Sequence, residues 1–468
     1  MTEAFSAAEA IDWTGGELLS GDATLAFTGV TIDSRRVGKG DVFVAIAGER
    51  FDAHDFLDDV AAAGASGCIV RAGRRAPPAI PCAIAVEDTT RALGALAAGH
   101  RRRHTGPLIA ITGSNGKTTT KEMCAAILGV AGPCLHTEGN LNNEFGLPLT
   151  LLRREASHRS VVCELGMNHR GEIARLAAIA QPSVGVITNV GTAHIEHLGS
   201  REEIALEKGD LIAALAEDAT AVLNVDDPLV AAQAARTPAR VLRFGRGEHA
   251  DVRADDLSAG SDGRYRFTLT APDGQVEVAV AGLGETTVPN ALAAAAGALA
   301  AGAPLSDIPT GLAAYRPISG RLQPIPLVGG GLLIDDTYNA NPQSMEVALR
   351  TLARGEVKGK RVAVLGDMGE LGGYGDEAHE GAGTLAAKLG VDRLFALGEH
   401  ASDVVHAARD AGMDAAAVHA ARDWEETAEH VAAVVEPGDR ILVKGSRAMR
   451  MERIVARLKS TAGAGEND

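Results

Sequence analysis

Basic residues are in deficit in this chain: 45 Lys and Arg against 61 Asp and Glu leave a formal net charge of -16 over 468 residues. That deficit excludes a nucleic-acid track or a docking face for anionic lipid, since both are built from basic patches. If its substrates are polyanions, local donors must hold them against the overall field. Cysteine is sparse too. None of the five, Cys68, Cys82, Cys124, Cys134 and Cys163, forms a C-x-x-C pair, and most lie in apolar segments; they read as reduced core residues of a cytosolic protein. The amino terminus, Met1 to Ser6, lacks the basic and then apolar blocks of a secretion signal. Nor is there a run able to cross a bilayer. The most apolar stretch, Ala291 to Ala301, is alanine-rich and shorter than the ~20 residues required, so no membrane span is expected and the expected location is cytoplasmic.

What is present is a long, well-provisioned chain: 46% hydrophobic residues support packed globules, and the length exceeds one ordinary core, giving a prior of two to four domains. It is organised around Ile111-Thr112-Gly113-Ser114-Asn115-Gly116-Lys117-Thr118-Thr119-Thr120. Leu108 to Ile111 before it suits a buried parallel strand, and Met123, Ile127 and Val130 after it recur at helical spacing. In such a strand–turn–helix, Gly113 and Gly116 let successive N–H groups curl into one concavity, and the helix directs its positive end at the anion held there. Lys117 adds a cation, and the Thr118 hydroxyl can reach a phosphate-bound Mg²⁺. The expected ligand is a nucleoside triphosphate. The general pattern G-x-x-x-x-G-K-[ST] needs glycine where Ile111 stands, so this loop is a shorter variant.

Along the chain, alternation at Val30 to Ile32, the run Asp41 to Ile46, a helix over Phe56 to Ala63 ended by Gly64, and a strand at Gly67 to Val70 predict a small α/β module closing near residue 100. Arg101-Arg102-Arg103-His104 and Gly106-Pro107 read as a linker, the basic run as a solvated helix end. The asparagines of Gly139-Asn140-Leu141-Asn142-Asn143 could bind a sugar or phosphate, or serve only as turn residues. Short buried strands at Val161–Cys163 and Val184–Thr188 deliver Glu164 and, a little later, His194 beyond strand carboxyl ends, where ligands collect in open α/β sheets. A carboxylate and an imidazole converging there are candidate Mg²⁺ ligands. Lys208 lies in the apolar stripe Ile204, Lys208, Leu211, Leu215 of the next helix. Either its stem packs while the ammonium escapes to water, or it turns toward the metal site, where a bare ammonium would repel Mg²⁺ and a changed charge state would be needed. Asn290 opens a helix where its amide could meet a base. Tyr315-Arg316-Pro317 and Gly320-Arg321 form a second linker, and an arginine at a hinge can reach phosphates on closure. From Leu332 on, strands and helices alternate in a Rossmann-like pattern through Val362–Leu365 and Ile441–Val443, the latter ending in Lys444-Gly445-Ser446-Arg447; the tail Thr461 to Asp468 is expected to be disordered.

The combination resembles the Mur ligase family of peptidoglycan synthesis over essentially the full length. It is carried by Gly113-Ser114-Asn115-Gly116-Lys117-Thr118-Thr119, Gly139-Asn140-Leu141-Asn142-Asn143, Glu164-Leu165-Gly166-Met167-Asn168, Asp336-Thr337-Tyr338-Asn339-Ala340-Asn341-Pro342 and Gly366-Asp367-Met368-Gly369-Glu370-Leu371-Gly372. The resemblance implies an α/β fold of three domains: a UDP-MurNAc-binding module over 1–104, a central P-loop ATPase with a mostly parallel sheet over 105–323, and a carboxy-terminal Rossmann-like ligase domain over 324–468. The last two blocks choose the member that joins D-alanyl-D-alanine to a UDP-MurNAc-tripeptide. The Asp-Asn-Pro-Arg tetrapeptide of the preceding ligase is missing, and folylpolyglutamate synthetase matches the Asp33-Ser34-Arg35 module less well. By motif position, the resemblance places Gly113 to Thr119, with Asn290, Arg321 and Asp336, on ATP: Asn290 at adenine, Asp336 at the ribose, Arg321 at the phosphates. It places Thr118 and Glu164 on one Mg²⁺ and His194 on a second, and aligns Lys208 with a lysine that relatives carbamylate. Ser34, Arg35, Asn140, Asn143, Asn339 and Asn341 become expected substrate contacts, and Lys117, Lys208, His194 and Arg321 the expected catalytic set. A monomer is expected. A simple ATPase would need no third domain, and a nucleotide-binding regulator would need the loop but not Glu164, His194 and Lys208 together.

Overall fold

The computed structural model describes residues 3–48, 51–260 and 263–462. Its centre is a nine-stranded sheet in the order Gly274–Ala281, Arg264–Ala271, Val252–Ala259, Arg240–Gly245, Thr220–Asn224, Val184–Ile187, Leu108–Thr112, Ser160–Glu164, Cys134–His136. Seven strands run parallel, and the last two in sequence add an antiparallel hairpin at one edge. Every residue of Leu108–Thr112 is buried, as the unbroken apolar run requires of a strand covered on both faces. From this strand the chain leaves for Cys134–His136 and Ser160–Glu164 on one side and then crosses to Val184–Ile187 on the other. The sheet therefore reverses direction of growth at Leu108–Thr112, the place where an open α/β sheet leaves a crevice beyond its carboxyl ends.

The helix Lys117–Leu128 packs on this sheet together with Thr287–Ala300. Ala291, Ala294, Ala295 and Ala298 of the latter are fully buried, and at Gly297 a Cβ would stand within 3.4–3.8 Å of Val186, Cys124 and Ile109. The alanine-rich run is thus a core helix whose small side chains let it lie close to the sheet. No described helix is long and apolar enough to cross a membrane.

The amino-terminal unit is a five-stranded sheet, Glu17–Ser20, Ala83–Val86, Gly67–Arg71, Asp41–Val44, Gly29–Thr31, with a small two-stranded pair beside it. Its expected helix begins as a 3-10 turn at Ala53–Phe56 and continues as Leu57–Ala62, with Gly64 left-handed just past its end. Asp88 caps the next helix, Thr89–Arg101. The basic run after it is not a solvated helix end. The Arg101 guanidinium donates to the carbonyls of Ala180 (3.1 Å), Gln181 (3.2 Å) and His104 (2.8 Å), and Arg103 pairs with Glu3 at 2.8 Å. Apolar packing crosses the same boundary, because Val42, Ile69, Leu93 and Leu96 belong to one continuous core with Leu108, Leu147, Leu176 and Ile204.

The carboxy-terminal unit has six strands in the order Gln323–Pro326, Leu332–Asp336, Arg440–Lys444, Arg361–Gly366, Arg393–Leu397, Val418–Ala421, all parallel except the first. Alternate residues feed two cores. Ala363, Leu365, Leu394 and Ala396 pack with Met345, Leu349 and Val404, while Val362, Val364, Phe395 and Leu397 pack with Val431, Ile454 and Leu458. Period-two alternation on strands buried on both sides is what makes this sheet doubly wound. Thr461 and Ala462, expected in a disordered tail, close the helix Glu452–Ala462; the remainder of that tail, 463–468, lies outside the described residues.

Candidate active site

The phosphate loop is built by two glycines and held by a neighbouring loop. At Gly116 the backbone is left-handed, φ 82°, and a Cβ would stand 2.2 Å from Asn290 Oδ1; at Gly113 it would stand 1.9 Å from Thr188 Oγ1. No other residue fits either place. The Asn115 N–H donates to Asn189 Oδ1 at 2.9 Å, and the Asn115 carbonyl accepts from Thr188 Oγ1 (2.7 Å) and Asn189 Nδ2 (2.9 Å). Ser114 Oγ accepts the Gly191 N–H at 2.8 Å. A loop clamped this way reaches its ligand already in shape, so little ordering entropy is lost on binding. Lys117 Nζ donates back to the Gly113 carbonyl at 2.8 Å. Burial pushes its pKa down, opposed by the nearby Glu164 carboxylate.

Glu164 ends its strand level with Ile111 and is buried. Its Oε2 accepts from Thr118 Oγ1 and its Oε1 from Asn142 Nδ2, both at 2.8 Å. A hydroxyl and a carboxylate side by side are the hard oxygen donors that Mg²⁺ takes. The strand end is steadied by Thr137, whose Oγ1 accepts the Glu164 N–H at 3.0 Å and whose carbonyl accepts from the fully buried Lys121 at 2.5 Å. His194 has a left-handed backbone, φ 66°, and its Nδ1 stands 2.6 Å from Glu370 Oε2. That contact holds the Glu370 carboxyl below its ordinary range.

Lys208 is 1% exposed. Burial first, and then the like charge of Lys117, hold its pKa well below the ordinary lysine value. Among the described residues its ammonium has no hydrogen-bond or ion-pair partner. The snorkelling alternative is therefore wrong for this side chain.

A cleft of about 1150 Å³ opens over these groups. Of the residues singled out in the sequence, Ser114 to Thr119, Glu164, His194, Asn290, Arg321, Asp336, Asn140, Asn143, Asn339 and Asn341 all line it. Gly113 and Lys208 are not among the residues that line it, and Ser34 and Arg35 are elsewhere, on a 3-10 turn where Arg35 pairs with Asp33. Several of the lining residues are also structural. Asn143 Oδ1 accepts the Gly146 N–H at 2.9 Å, the turn role its surroundings allowed. Asp336 accepts the Leu322 N–H on one oxygen (3.0 Å) and the buried Lys444 ammonium on the other (2.6 Å), which anchors the second linker. Arg321 stacks over the Tyr338 ring, 4.1 Å from its centroid. Asn290 contacts Gly116 and Thr120 beneath the phosphate loop.

The carboxy-terminal unit sits closed on the loop. Asn341 Nδ2 donates to Asn115 Oδ1 at 2.9 Å while its own Oδ1 caps the helix Pro342–Ala353, and Gln343 Oε1 accepts from the Thr192 hydroxyl (2.9 Å) and N–H (3.2 Å). Sequence reasoning gave no role to Gln343 and Glu370, whose partners are set by tertiary approach alone. Asn142 stood among the loop asparagines expected to bind sugar or phosphate, and Lys444 at a strand end with anion-binding residues.

Three family models match: the Mur ligase family catalytic domain over residues 26–101, the Mur ligase middle domain over 111–298, and the Mur ligase glutamate ligase domain over 320–447. The UDP-N-acetylmuramoyl-tripeptide–D-alanyl-D-alanine ligase of Escherichia coli is 39% identical over 452 residues, 96% of this chain and 97% of that one. This chain belongs to the Mur ligase family. Among solved structures, MurF from Acinetobacter baumannii superposes on this Mur ligase with a TM-score of 0.89 at 35% identity, covering 98% and 99% of the two chains. MurF from Thermotoga maritima, solved in complex with ADP, gives 0.82 at 31% identity over 93% and 97%. The expected three-domain α/β fold is therefore that of the Mur ligases.

Proposed function

We propose that this Mur ligase joins D-alanyl-D-alanine to the terminal carboxylate of a UDP-N-acetylmuramoyl-tripeptide, in the synthesis of peptidoglycan precursors in the cytoplasm. It is an ATP-dependent ligase, working as a monomer, with a UDP-MurNAc module over 1–104, an ATPase over 105–323 and a ligase domain over 324–468. Near 40% identity along the whole length supports this reading. The observation that carries it is the meeting of Lys117, Thr118, Glu164 and His194 at the sheet's switch point beneath a seated carboxy-terminal unit.

A carboxylate is a poor electrophile, so it must first be activated. Its oxygen attacks the γ-phosphorus of ATP and ADP leaves; the dipeptide amine then attacks the acyl carbon and gives up a proton, and the C–O bond to phosphate breaks. Both steps are chiefly problems of positioning and charge. The loop N–H groups and Lys117 would hold the β- and γ-phosphates, Asn290 would face adenine and Asp336 the ribose, and Arg321 would meet the phosphates in the closed form. Asn140, Asn143, Asn339 and Asn341 would contact substrate along the cleft, and Ser34 and Arg35 the UDP-sugar. Thr118 and Glu164 would hold one Mg²⁺ and His194 a second, with Lys208 beside it as its carbamate. Bound there, magnesium would neutralise phosphate charge. A neutral buried amine is the form that reacts with CO₂, giving a carbamate and a proton, and the surroundings of Lys208 favour that form.

Incubation with ATP, D-alanyl-D-alanine and either the lysyl or the diaminopimelyl tripeptide, read by mass spectrometry, tests this. The expected result is one amide product with stoichiometric ADP and phosphate, and a preference that identifies the third residue. ADP release without amide from either peptide would overturn the reading.

A further inference from the structure

Two residues other than glycine adopt left-handed backbone and meet across the closed interface: His194, φ 66°, from the central unit and Glu370, φ 61°, from the carboxy-terminal unit. For glutamate that conformation is strained, and strain of this kind persists only where the surroundings impose it. The surroundings are visible. Glu370 lies in the loop Gly366 to Gly372, whose Asp367 is locked by the N–H groups of Glu399 (2.8 Å) and His400 (3.2 Å), and at Gly372 a Cβ would stand 3.3 Å from Glu196, two residues after His194. The loop is thus fixed at its base and reaches its counterpart closely. With Glu370 45% exposed, an ion pair here adds little to fold stability. Its effect is on direction: the carboxylate oxygen stands 2.6 Å from Nδ1 but off the line of that ring N–H, and a small turn of the ring makes the pair a hydrogen bond that keeps Nδ1 protonated and leaves Nε2 free to point away.

We infer that Glu370 is a positioning residue, which on domain closure accepts the Nδ1–H of His194 and so presents Nε2 as a ligand, making completion of the second metal position depend on the seating of the carboxy-terminal domain. This rests on the reading of His194 as a magnesium ligand. Metal-bound histidines commonly donate their other ring N–H to a carboxylate that fixes tautomer and ring orientation. What is particular here is that the carboxylate arrives on a different domain. The two sides are also joined by Asn341 to Asn115 and by Gln343 to Thr192, so the His194 contact forms only in the arrangement that brings the ligase domain over the phosphate loop. Open enzyme would hold His194 without its orienting partner, and ATP turnover before the dipeptide domain is in place would be suppressed.

The test uses full-length protein, Mn²⁺ as the metal probe and electron paramagnetic resonance titration in the presence of ADP, beside steady-state kinetics. Glu370→Ala is expected to lower kcat about 10- to 100-fold with little change in the KM for ATP, and to weaken Mn²⁺ binding by a similar factor. Glu370→Gln, which keeps an acceptor oxygen in the same place, should recover part of both losses. Glu370→Gly relieves the left-handed strain and should melt no lower than wild type while remaining as impaired as the alanine variant, an outcome that an architectural role would not give. In the double variant His194→Ala/Glu370→Ala, the losses should not exceed those of His194→Ala alone. Unchanged Mn²⁺ affinity in Glu370→Ala, or additive losses in the double variant, would overturn the proposal while leaving His194 a ligand. Unchanged Mn²⁺ affinity in His194→Ala would instead remove the metal assignment on which it stands.

Discussion

Lys208 offers the sharpest single perturbation, because its burial sets opposite expectations for stability and for activity. The side chain is 1% exposed and, among the described residues, without a hydrogen-bonding partner. Taking the charged ammonium out of water costs stability. In CO₂-depleted, magnesium-free buffer, Lys208→Met removes that cost and should melt at or above the wild-type temperature. The pH dependence follows the same sign. The folded-state pKa lies below the unfolded value of 10.5, so between the two the unfolded chain binds the proton more readily and wild-type stability declines as pH falls; Lys208→Met should lose that slope. Activity should move the other way. Losing one pre-organised group at a site of developing charge costs about 10²–10³ in kcat, or ~2.7–4 kcal/mol, and Lys208→Ala is expected to fall by that much. Acetate or formate in the buffer should restore part of it by filling the vacated ligand position, and ¹³C-bicarbonate should give a carbamate carbonyl signal in wild type that is missing from the variant. A Lys208→Ala enzyme with near-normal kcat would refute the reasoning, as would active wild type that takes up no label.

Three further outcomes are expected. Lys117→Ala should abolish turnover with the melting temperature nearly unchanged, since among the described residues the ammonium hydrogen-bonds only to the Gly113 and Ser114 carbonyls; near-normal kcat would sink the phosphate-loop assignment. Arg321→Ala should lower kcat more than it weakens ATP binding measured by calorimetry without the other substrates, and equal losses would place the arginine permanently in the open site. Burial holds His100 at about 4 against an ordinary 6.5. The unfolded chain therefore takes the proton first, and stability worth roughly 3 kcal/mol at 1.36 kcal/mol per pH unit should be lost as pH falls from 6.5 to about 4; denaturant melts of His100→Gln should be flatter over that window.

The parts of the site legible in the sequence are those whose cause is local. Gly113 and Gly116 bend one turn, Lys117 and Thr118 follow at fixed offsets, and Lys208 stood out as a cation in an apolar stripe. Glu164 and His194 were reached by one rule about strand ends, which needs no knowledge of strand order. Asp336 and Lys444 show what that rule leaves out. They face each other because Leu332–Asp336 and Arg440–Lys444 are adjacent in the sheet, an adjacency separated by three other strands in the chain. Gln343 and Glu370 were harder still, being ordinary polar residues at a helix start and in a loop until a second domain arrives against them. Arg101 misled for the opposite reason: a basic run after a helix usually faces water, and only the nearness of the Ala180 and Gln181 carbonyls gives its donors somewhere else to go. Asn143 spends its amide oxygen on a turn and Asn341 on a helix cap, uses that composition cannot tell from ligand binding.

The core that runs unbroken from Val42 and Leu93 to Leu108 and Leu176 has a mechanical consequence. The amino-terminal sheet and the central sheet cannot part without opening apolar surface to water, whereas the carboxy-terminal sheet has two cores of its own, touched from the central unit by Leu283 and Leu322, and otherwise meets the rest through polar contacts. The amino-terminal and central units therefore form one frame, and the carboxy-terminal unit is the arm that can part from it at the smaller apolar cost. A ligand held at both ends of the frame is measured against a rigid span, so a stem one residue too short would hang back from the phosphate loop by a length that no motion of the arm makes up.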